Sequence, residues 1–358
     1  MRRSIAMLSL SFVAVFVLLV PRASTQDLPP PPPPPQIKTS PTPPARDVDQ
    51  ELDPDDVISV NTTEIMLPVT VRDHTGRLVP NLTRKDFRVF EDGSEQTLSD
   101  LSLRQAPVDV ALIVDASSSV ADNLDDFRSA AEEFASYLSA EDRLCLIQFD
   151  DKVTLLQDWT RSIVQLRRAL RRIAPGMFTR FHDAMLLASR DHAPRADARH
   201  AIIVLTDGID SGRGSTFDAA LRAALQSQTT VYVISNTQIE RARKQQELET
   251  LLTAGDAAVR FNKLRIDDLR MGLDALDASE RNLEALTAST GGRVYKPVRF
   301  TELQKTYAEV AQELRQQYTL YYSPNNPSRD GKFRRVRVET NNSSHRISAR
   351  IGYYAPSR

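Results

Sequence analysis

The chain has 358 residues, with 46 Lys and Arg against 47 Asp and Glu, and a single cysteine. Near-neutrality without a basic run argues against a nucleic-acid partner, and one cysteine excludes an internal disulfide framework and any cysteine-rich zinc site. At 41% hydrophobic residues there is core enough for one large domain or two moderate ones.

Arg2 and Arg3 precede an uncharged apolar run over residues 5–20, and Pro21-Arg-Ala-Ser-Thr follows. A basic start, an apolar stretch and a small-residue exit predict a secretory signal over residues 1–25. The run approaches the roughly 20 residues of a membrane span. An uncleaved anchor is therefore the competing expectation, and the membrane is then met only through this segment. Either way the protein is expected to be exported: periplasmic, cell-surface or secreted. Eleven of the 21 prolines lie between Pro21 and Pro44, seven of them consecutive at 29–35. Residues 26–54 thus read as a disordered, Pro-rich linker whose polyproline stretch extends about 3.1 Å per residue.

From residue 107 to 316 short apolar runs alternate with amphipathic segments. Strands are predicted at 108–114, 143–149, 201–205 and 230–234, with a last short one at 291–295. Helices are predicted at 124–138, 162–173, 181–190, 217–226, 282–289 and 301–315. Runs without polar alternation are strands buried on both faces, so the fold class is α/β: a Rossmann-like, mostly parallel sheet with helices on both faces. Residues 238–280 are charged and helix-forming, and read as a helical insertion. Outside this block, 64–71, 87–90, 318–322, 335–338 and 347–351 are short strands, and Asp92-Gly93 marks a hairpin turn. Residues 55–106 and 317–354 are expected to pair into one small β domain into which the α/β domain is inserted, since neither flank alone carries enough strands.

Ligands of open α/β sheets bind outside the carboxyl ends of the strands. One predicted strand ends in Asp115-Ala-Ser117-Ser-Ser119 and another in Thr206-Asp207-Gly208, so two carboxylates leave the same sheet edge. Packed together they would raise each other's pKa, a cost that a divalent cation removes. Ser117, Ser119 and, from the loop Gly176-Met-Phe-Thr179, the Thr179 hydroxyl add neutral oxygens. Oxygen-only donors suit Mg²⁺, with Mn²⁺ or Ca²⁺ as substitutes, and no His or Cys in these loops favours zinc or copper.

With Asp115-x-Ser117-x-Ser119, Thr179 and Asp207 in Thr-Asp-Gly, about 200 residues resemble the von Willebrand factor type A family and its metal-ion-dependent adhesion site. Pro68-Val-Thr-Val-Arg-Asp…Phe87…Glu91-Asp-Gly before the domain resembles a bacterial exported subgroup. So does Tyr318…Tyr322…Asp330-Gly…Gly352-Tyr-Tyr-Ala-Pro after it. The resemblance implies that Ser117, Ser119 and Thr179 bind Mg²⁺ directly or through water. Asp115 and Asp207 then act largely through water, leaving one position for a carboxylate from a protein partner. Met177 and Phe178 depart from the family's Gly-Gly-Thr or Gly-x-Thr loop. Phe178 is either a contact beside the metal or, more ordinarily, a core anchor; Arg180 could weaken the metal or hold an acidic partner.

An enzyme is not expected. Gly-x-Ser-x-Gly and Gly-x-x-x-x-Gly-Lys are both absent, and no general base stands out beside the ligands. His182, next to the Thr179 loop, reads as an ordinary helix-start histidine, and Cys145 as a buried small hydrophobe. The function expected is Mg²⁺-dependent protein–protein interaction or adhesion. The competing function is a metal-independent structural or scaffold component of the cell envelope that acts through its β domain.

Overall fold

Eight residues from Val108 to Asp115 form a strand buried along its whole length, and the molecule is organised around it. The computed structural model describes residues 64–103, 106–117, 123–191, 195, 197–211 and 214–357. The signal and linker expected over residues 1–54 lie outside the described residues. In chain order the elements are β1 (Ile65–Arg72), β2 (Phe87–Glu91), β3 (Ser94–Gln96), β4 (Leu98–Leu103), β5 (Val108–Asp115) and α1 (Leu124–Ser136). There follow β6 (Arg143–Phe149), β7 (Val153–Thr160), α2 (Ile163–Leu170), α3 (Phe181–Leu186), β8 (Arg199–Thr206), α4 (Phe217–Gln226) and β9 (Thr230–Ser235). Then come α5 (Thr237–Thr253), α6 (Asp256–Phe261), α7 (Lys263–Thr290), β10 (Arg293–Tyr295) and α8 (Leu303–Gln316). The chain closes with β11 (Tyr318–Tyr322), β12 (Phe333–Thr340), β13 (Arg346–Ala349) and β14 (Gly352–Tyr354).

The central sheet has the order β10-β9-β8-β5-β6-β7. All neighbours run parallel except β7, which is antiparallel to β6. Alternate residues of β5 feed two cores: Leu112 meets Phe127 and Tyr307 on the side of α1 and α8, while Ile113 meets Phe181 and Leu283 on the side of α3, α4 and α7. In α1 the buried set Leu124, Phe127, Ala131, Phe134 recurs every three to four residues, the spacing of one helix face. The result is a Rossmann-like α/β fold with helices on both faces.

Two elements differ from expectation. No strand was anticipated at Val153–Thr160, because β7 is an edge strand. Most of its positions are only partly buried, and they show neither a continuous apolar run nor strict alternation. The helix expected at 282–289 is the end of α7, a single 28-residue helix that also takes in the last part of the charged insertion. Ile266, Leu269, Leu276, Leu283 and Leu286 run a narrow buried stripe along it, and Gly291 ends it in the left-handed region at φ 82°. Packed on α7, α5 buries only Thr237 and Glu240 and is held by charge. Arg241 pairs with Asp277 and Glu280, and Arg265 forks onto Glu247 at 2.7 and 2.8 Å.

Strands before and after the α/β unit pair with one another. One sheet has the order β13-β1-β11-β4, the other β14-β12-β2-β3. The second contains the Asp92-Gly93 turn, whose residues have φ 48° and 86° and set Glu91 opposite Ser94. The two sheets share a core of Leu67, Val69, Phe87, Val89, Tyr318 and Leu320. At its edge the buried Glu91 carboxylate accepts from the Tyr322 and Tyr353 hydroxyls at 3.0 and 2.9 Å. Buried polar contacts tie this part to the α/β unit. Glu313 of α8 accepts from the Tyr295 hydroxyl at 2.7 Å and pairs with Arg72 of β1. Arg350 donates to Met66 O at 2.6 Å and to Gln228 Oε1 at 2.9 Å. Among the described residues no helix is long and apolar enough to cross a membrane.

Candidate metal centre

Parallel β5 and β8 are in register from Val108 opposite Arg199 to Val114 opposite Leu205, so they end at the same edge. Asp115 is the last residue of β5 and is fully buried. The Thr206 hydroxyl donates to its Oδ2 at 2.8 Å, and the Ser117 N–H donates to its Oδ1 at 2.9 Å. That second bond is a side-chain turn characteristic of aspartate leaving a strand. Ser117 itself is buried, and Ser119 lies outside the described residues.

Asp207 follows β8 directly and is 9% exposed. Its Oδ1 accepts the Ile209 N–H at 3.0 Å, and its main-chain carbonyl accepts the Ser279 hydroxyl of α7. Gly208 sits in the left-handed region at φ 71°, and a Cβ there would lie 2.5 Å from Ser279 Oγ and 2.8 Å from Leu283. The loop carrying Asp207 is therefore pressed under α7, which is how the long helix reaches the site.

Thr179 is drawn to the same place by reciprocal bonds. Its N–H donates to Ser211 Oγ at 2.9 Å, and the Ser211 N–H donates to Thr179 O at 3.1 Å. Farther along, Asp210 Oδ2 accepts the His182 N–H at 2.9 Å and stands 3.0 Å from His182 Nδ1. The Gly176 N–H donates to Ala116 O at 2.8 Å, and a Cβ on Gly176 would come within 2.4 Å of Asp150 Cβ. The Phe178 N–H donates to Asp151 Oδ1 at 2.8 Å. Every anchor in this loop is main-chain, and Met177 and Phe178 point outward, 79% and 56% exposed. Phe178 is thus not the core anchor it was expected to be. The loop is held by its main chain, with the Phe178 N–H on Asp151 and Gly176 against Asp150, and the phenyl ring stands in solvent.

The fold brings Asp115, Ser117, Thr179 and Asp207 to one sheet edge. It also brings Asp150, which the sequence reading passed over although β6 runs directly into Phe149-Asp150-Asp151. The rule that selected Asp115 and Asp207, an acid at the end of a buried parallel strand, applies equally there. Asp150 is buried, accepts from Gln148 Nε2 and from the Lys152 N–H at 3.1 Å, and adds negative potential at Asp115.

No ion pair joins Asp115 or Asp207 to a described Lys, Arg or His. Burial pushes the Asp115 carboxyl up, with Ser117 and Thr206 offsetting part of the rise. Burial does the same to Asp207, and the Asp115 charge adds to it. Two buried carboxyls with raised affinity for protons and all-oxygen surroundings fit a hard divalent cation, which would replace the protons.

A stability prediction follows from the sign of these shifts. An acid whose pKa is higher folded than unfolded contributes stability at low pH and loses it as pH rises through the folded value. The melting temperature of EDTA-treated protein should fall by several degrees from about pH 4 to pH 8, and saturating Mg²⁺ should restore it most at pH 8. A flat profile in EDTA, followed by calorimetry, would refute the pairing of two buried acids whose burial outweighs their compensation.

A Rossmann-like sheet with carboxylates and hydroxyls gathered at its carboxyl edge defines a class of α/β ligand-binding domains. Within that class, residues 109–276 match the model for the von Willebrand factor type A domain, and this stretch of the chain is such a domain. No curated protein matches the chain. Solved structures similar to it include a von Willebrand factor type A protein from Catenulispora acidiphila, with 10% identity over 82% of this chain and 75% of that one and a TM-score of 0.44. Another is the vWF domain of the type V pili tip protein Mfa5 from Porphyromonas gingivalis, with 23% identity over 29% and 39% and a TM-score of 0.28. A third is proximal thread matrix protein 1 from the mussel byssus with a zinc-occupied MIDAS motif, with 16% identity over 61% and 48% and a TM-score of 0.44. The chain thus spans less than half of the pilus-tip and byssus chains it matches.

Proposed function

We propose that this is an exported, non-enzymatic binding protein that joins a protein partner through a divalent cation, Mg²⁺ in the first place. Asp115, Ser117, Ser119, Thr179 and Asp207 would hold the cation, and the partner would contribute an acidic side chain. The observation that supports this reading best is the pair of buried carboxyls, Asp115 and Asp207, at one sheet edge, with no ion-pair partner among the described residues and only the Lys244 charge acting on Asp207. With only two charged donors and several neutral hydroxyls, a bound cation would keep net attraction for an anion from outside. Exposed Met177 and Phe178 beside Thr179 give that partner an apolar surface to meet.

The test is a pull-down from envelope extract with the purified protein in Mg²⁺, in EDTA, and with Thr179→Ala. Thr179 contributes one hydroxyl at the rim, and its Ser211 bonds are main-chain on the threonine side, so the variant should fold normally. A partner retained by wild type in Mg²⁺, released by EDTA and lost with Thr179→Ala is the expected result. Retention indifferent to both would refute the cation bridge and point to the flanking sheets as the binding surface.

A further inference from the structure

We infer that Asn236 is a positioning residue of the same cation site, with its side-chain amide set to hold Asp207 and the cation's hydration shell; the inference rests on the cation reading of that site. Asn236 follows β9 directly. Parallel β8 and β9 are in register up to Thr206 opposite Ser235, and the Asn236 N–H donates to Thr206 O at 3.3 Å. Asn236 therefore stands beside Asp207, one strand spacing away, about 4.8 Å. Ile203 and Leu205 on β8, and Tyr232 and Ile234 on β9, all face the core on the α1 and α8 side. Asp207 and Asn236 are the first residues beyond these two neighbouring strands and leave the sheet at the same carboxyl edge.

Asn236 is completely buried, yet among the described residues neither its Nδ2 nor its Oδ1 has a hydrogen-bond partner. Burying an amide with both ends unpaired costs several kcal/mol, so such groups persist where something else uses them. The usual structural use is absent here. Asn236 occupies the N-cap position of α5 but makes no side-chain cap bond. What the amide offers matches what a loaded site needs. Its NH₂ can donate to the Asp207 carboxylate, and its carbonyl can accept from a cation-bound water. One turn later the buried Glu240, whose N–H donates to Asn236 O, adds negative potential at Asp207.

The experiment titrates the full chain with Mn²⁺, read by electron paramagnetic resonance, in wild type, Asn236→Ala, Asn236→Leu and Thr179→Ala. Thermal melts in EDTA accompany each. Both Asn236 variants are expected to weaken Mn²⁺ about 10–100-fold while melting in EDTA no lower than wild type, since they remove unpaired buried polar atoms. Leu is close in volume, so it guards against a collapse of the Ala variant. Unchanged Mn²⁺ affinity in both, with Thr179→Ala weakened, would overturn the role of Asn236 and leave the site intact. Lower EDTA melting temperatures matching the loss of affinity would likewise overturn it, by showing a structural role. Absence of Mn²⁺ binding in wild type would remove the cation site and this inference together.

Discussion

Asp115→Ala is expected to lower Mn²⁺ affinity by a factor on the order of 100 or more and to leave the metal-free protein at least as stable as wild type. The two halves of this expectation come from the same fact. Asp115 is fully buried and no described Lys, Arg or His pairs with it, so the folded protein without metal tolerates its charge poorly. Removing it discards the bonds from Ser117 N–H and Thr206 Oγ1, worth about 1 kcal/mol each. It also removes a desolvation penalty that exceeds both bonds together, since the carboxyl stays raised despite them. For an ordinary core residue the substitution would cost stability and nothing else. Mn²⁺ titration and melts in EDTA on the same preparation separate the cases. An unchanged Mn²⁺ affinity would refute the site; a loss of affinity with a drop in the EDTA melting temperature would recast Asp115 as structural.

How much of this was legible in the sequence depended on how many sides of an element are covered. β6 was read at its observed bounds and β5 to within one residue, because strands covered on both faces show continuous apolar runs. α4 was read at its observed ends, Phe217–Gln226, where Thr216 caps the start by accepting the Ala219 N–H. β7 was missed because an edge strand needs no such run. The full length of α7 was hidden because its first half packs mainly on α5 and needs a seam of few apolar residues among many charges. In the site, Asp115, Ser117, Thr179 and Asp207 were legible from strand ends and hydroxyl spacing. Asp150 obeyed the same rule and went unnoticed. Phe178 and Asn236 were not legible: chain adjacency does not say which way a side chain turns, and an unpaired amide exists only once neighbours are placed. Pairings such as Val69 with Tyr318 carry no local signal at all, since their register is set by the shared core.

Asp109→Ala, on the same strand as Asp115, is expected to behave in the opposite way. Asp109 is as buried as Asp115, and the two stand six residues apart, about 20 Å along β5. At Asp109, however, Arg143 and Arg195 converge. Arg143 Nε donates to Oδ1 at 3.0 Å, Arg195 Nη2 to Oδ1 at 2.8 Å, and the Arg195 N–H to Oδ2 at 2.9 Å. Burial pushes this carboxyl up, but the two guanidiniums and the Arg195 N–H outweigh it and hold it down at about 2. The sign of the linkage reverses accordingly: Asp109 contributes stability above the unfolded value and loses it as pH falls from about 4 to 2. Alanine here would take from two partly buried guanidiniums the carboxylate they share, leaving Arg195 with Glu141 O and Arg143 over Trp159, a loss of about 2 kcal/mol. Urea denaturation at pH 7 should show a lower midpoint with the slope unchanged, and Mn²⁺ affinity should stay at the wild-type value. A carboxylate already matched by arginines has no use for a metal, whereas one held without them at the other end of the strand does. If Asp109→Ala left the urea midpoint in place, or if it weakened Mn²⁺ as Asp115→Ala is expected to, that division of labour along β5 would be wrong.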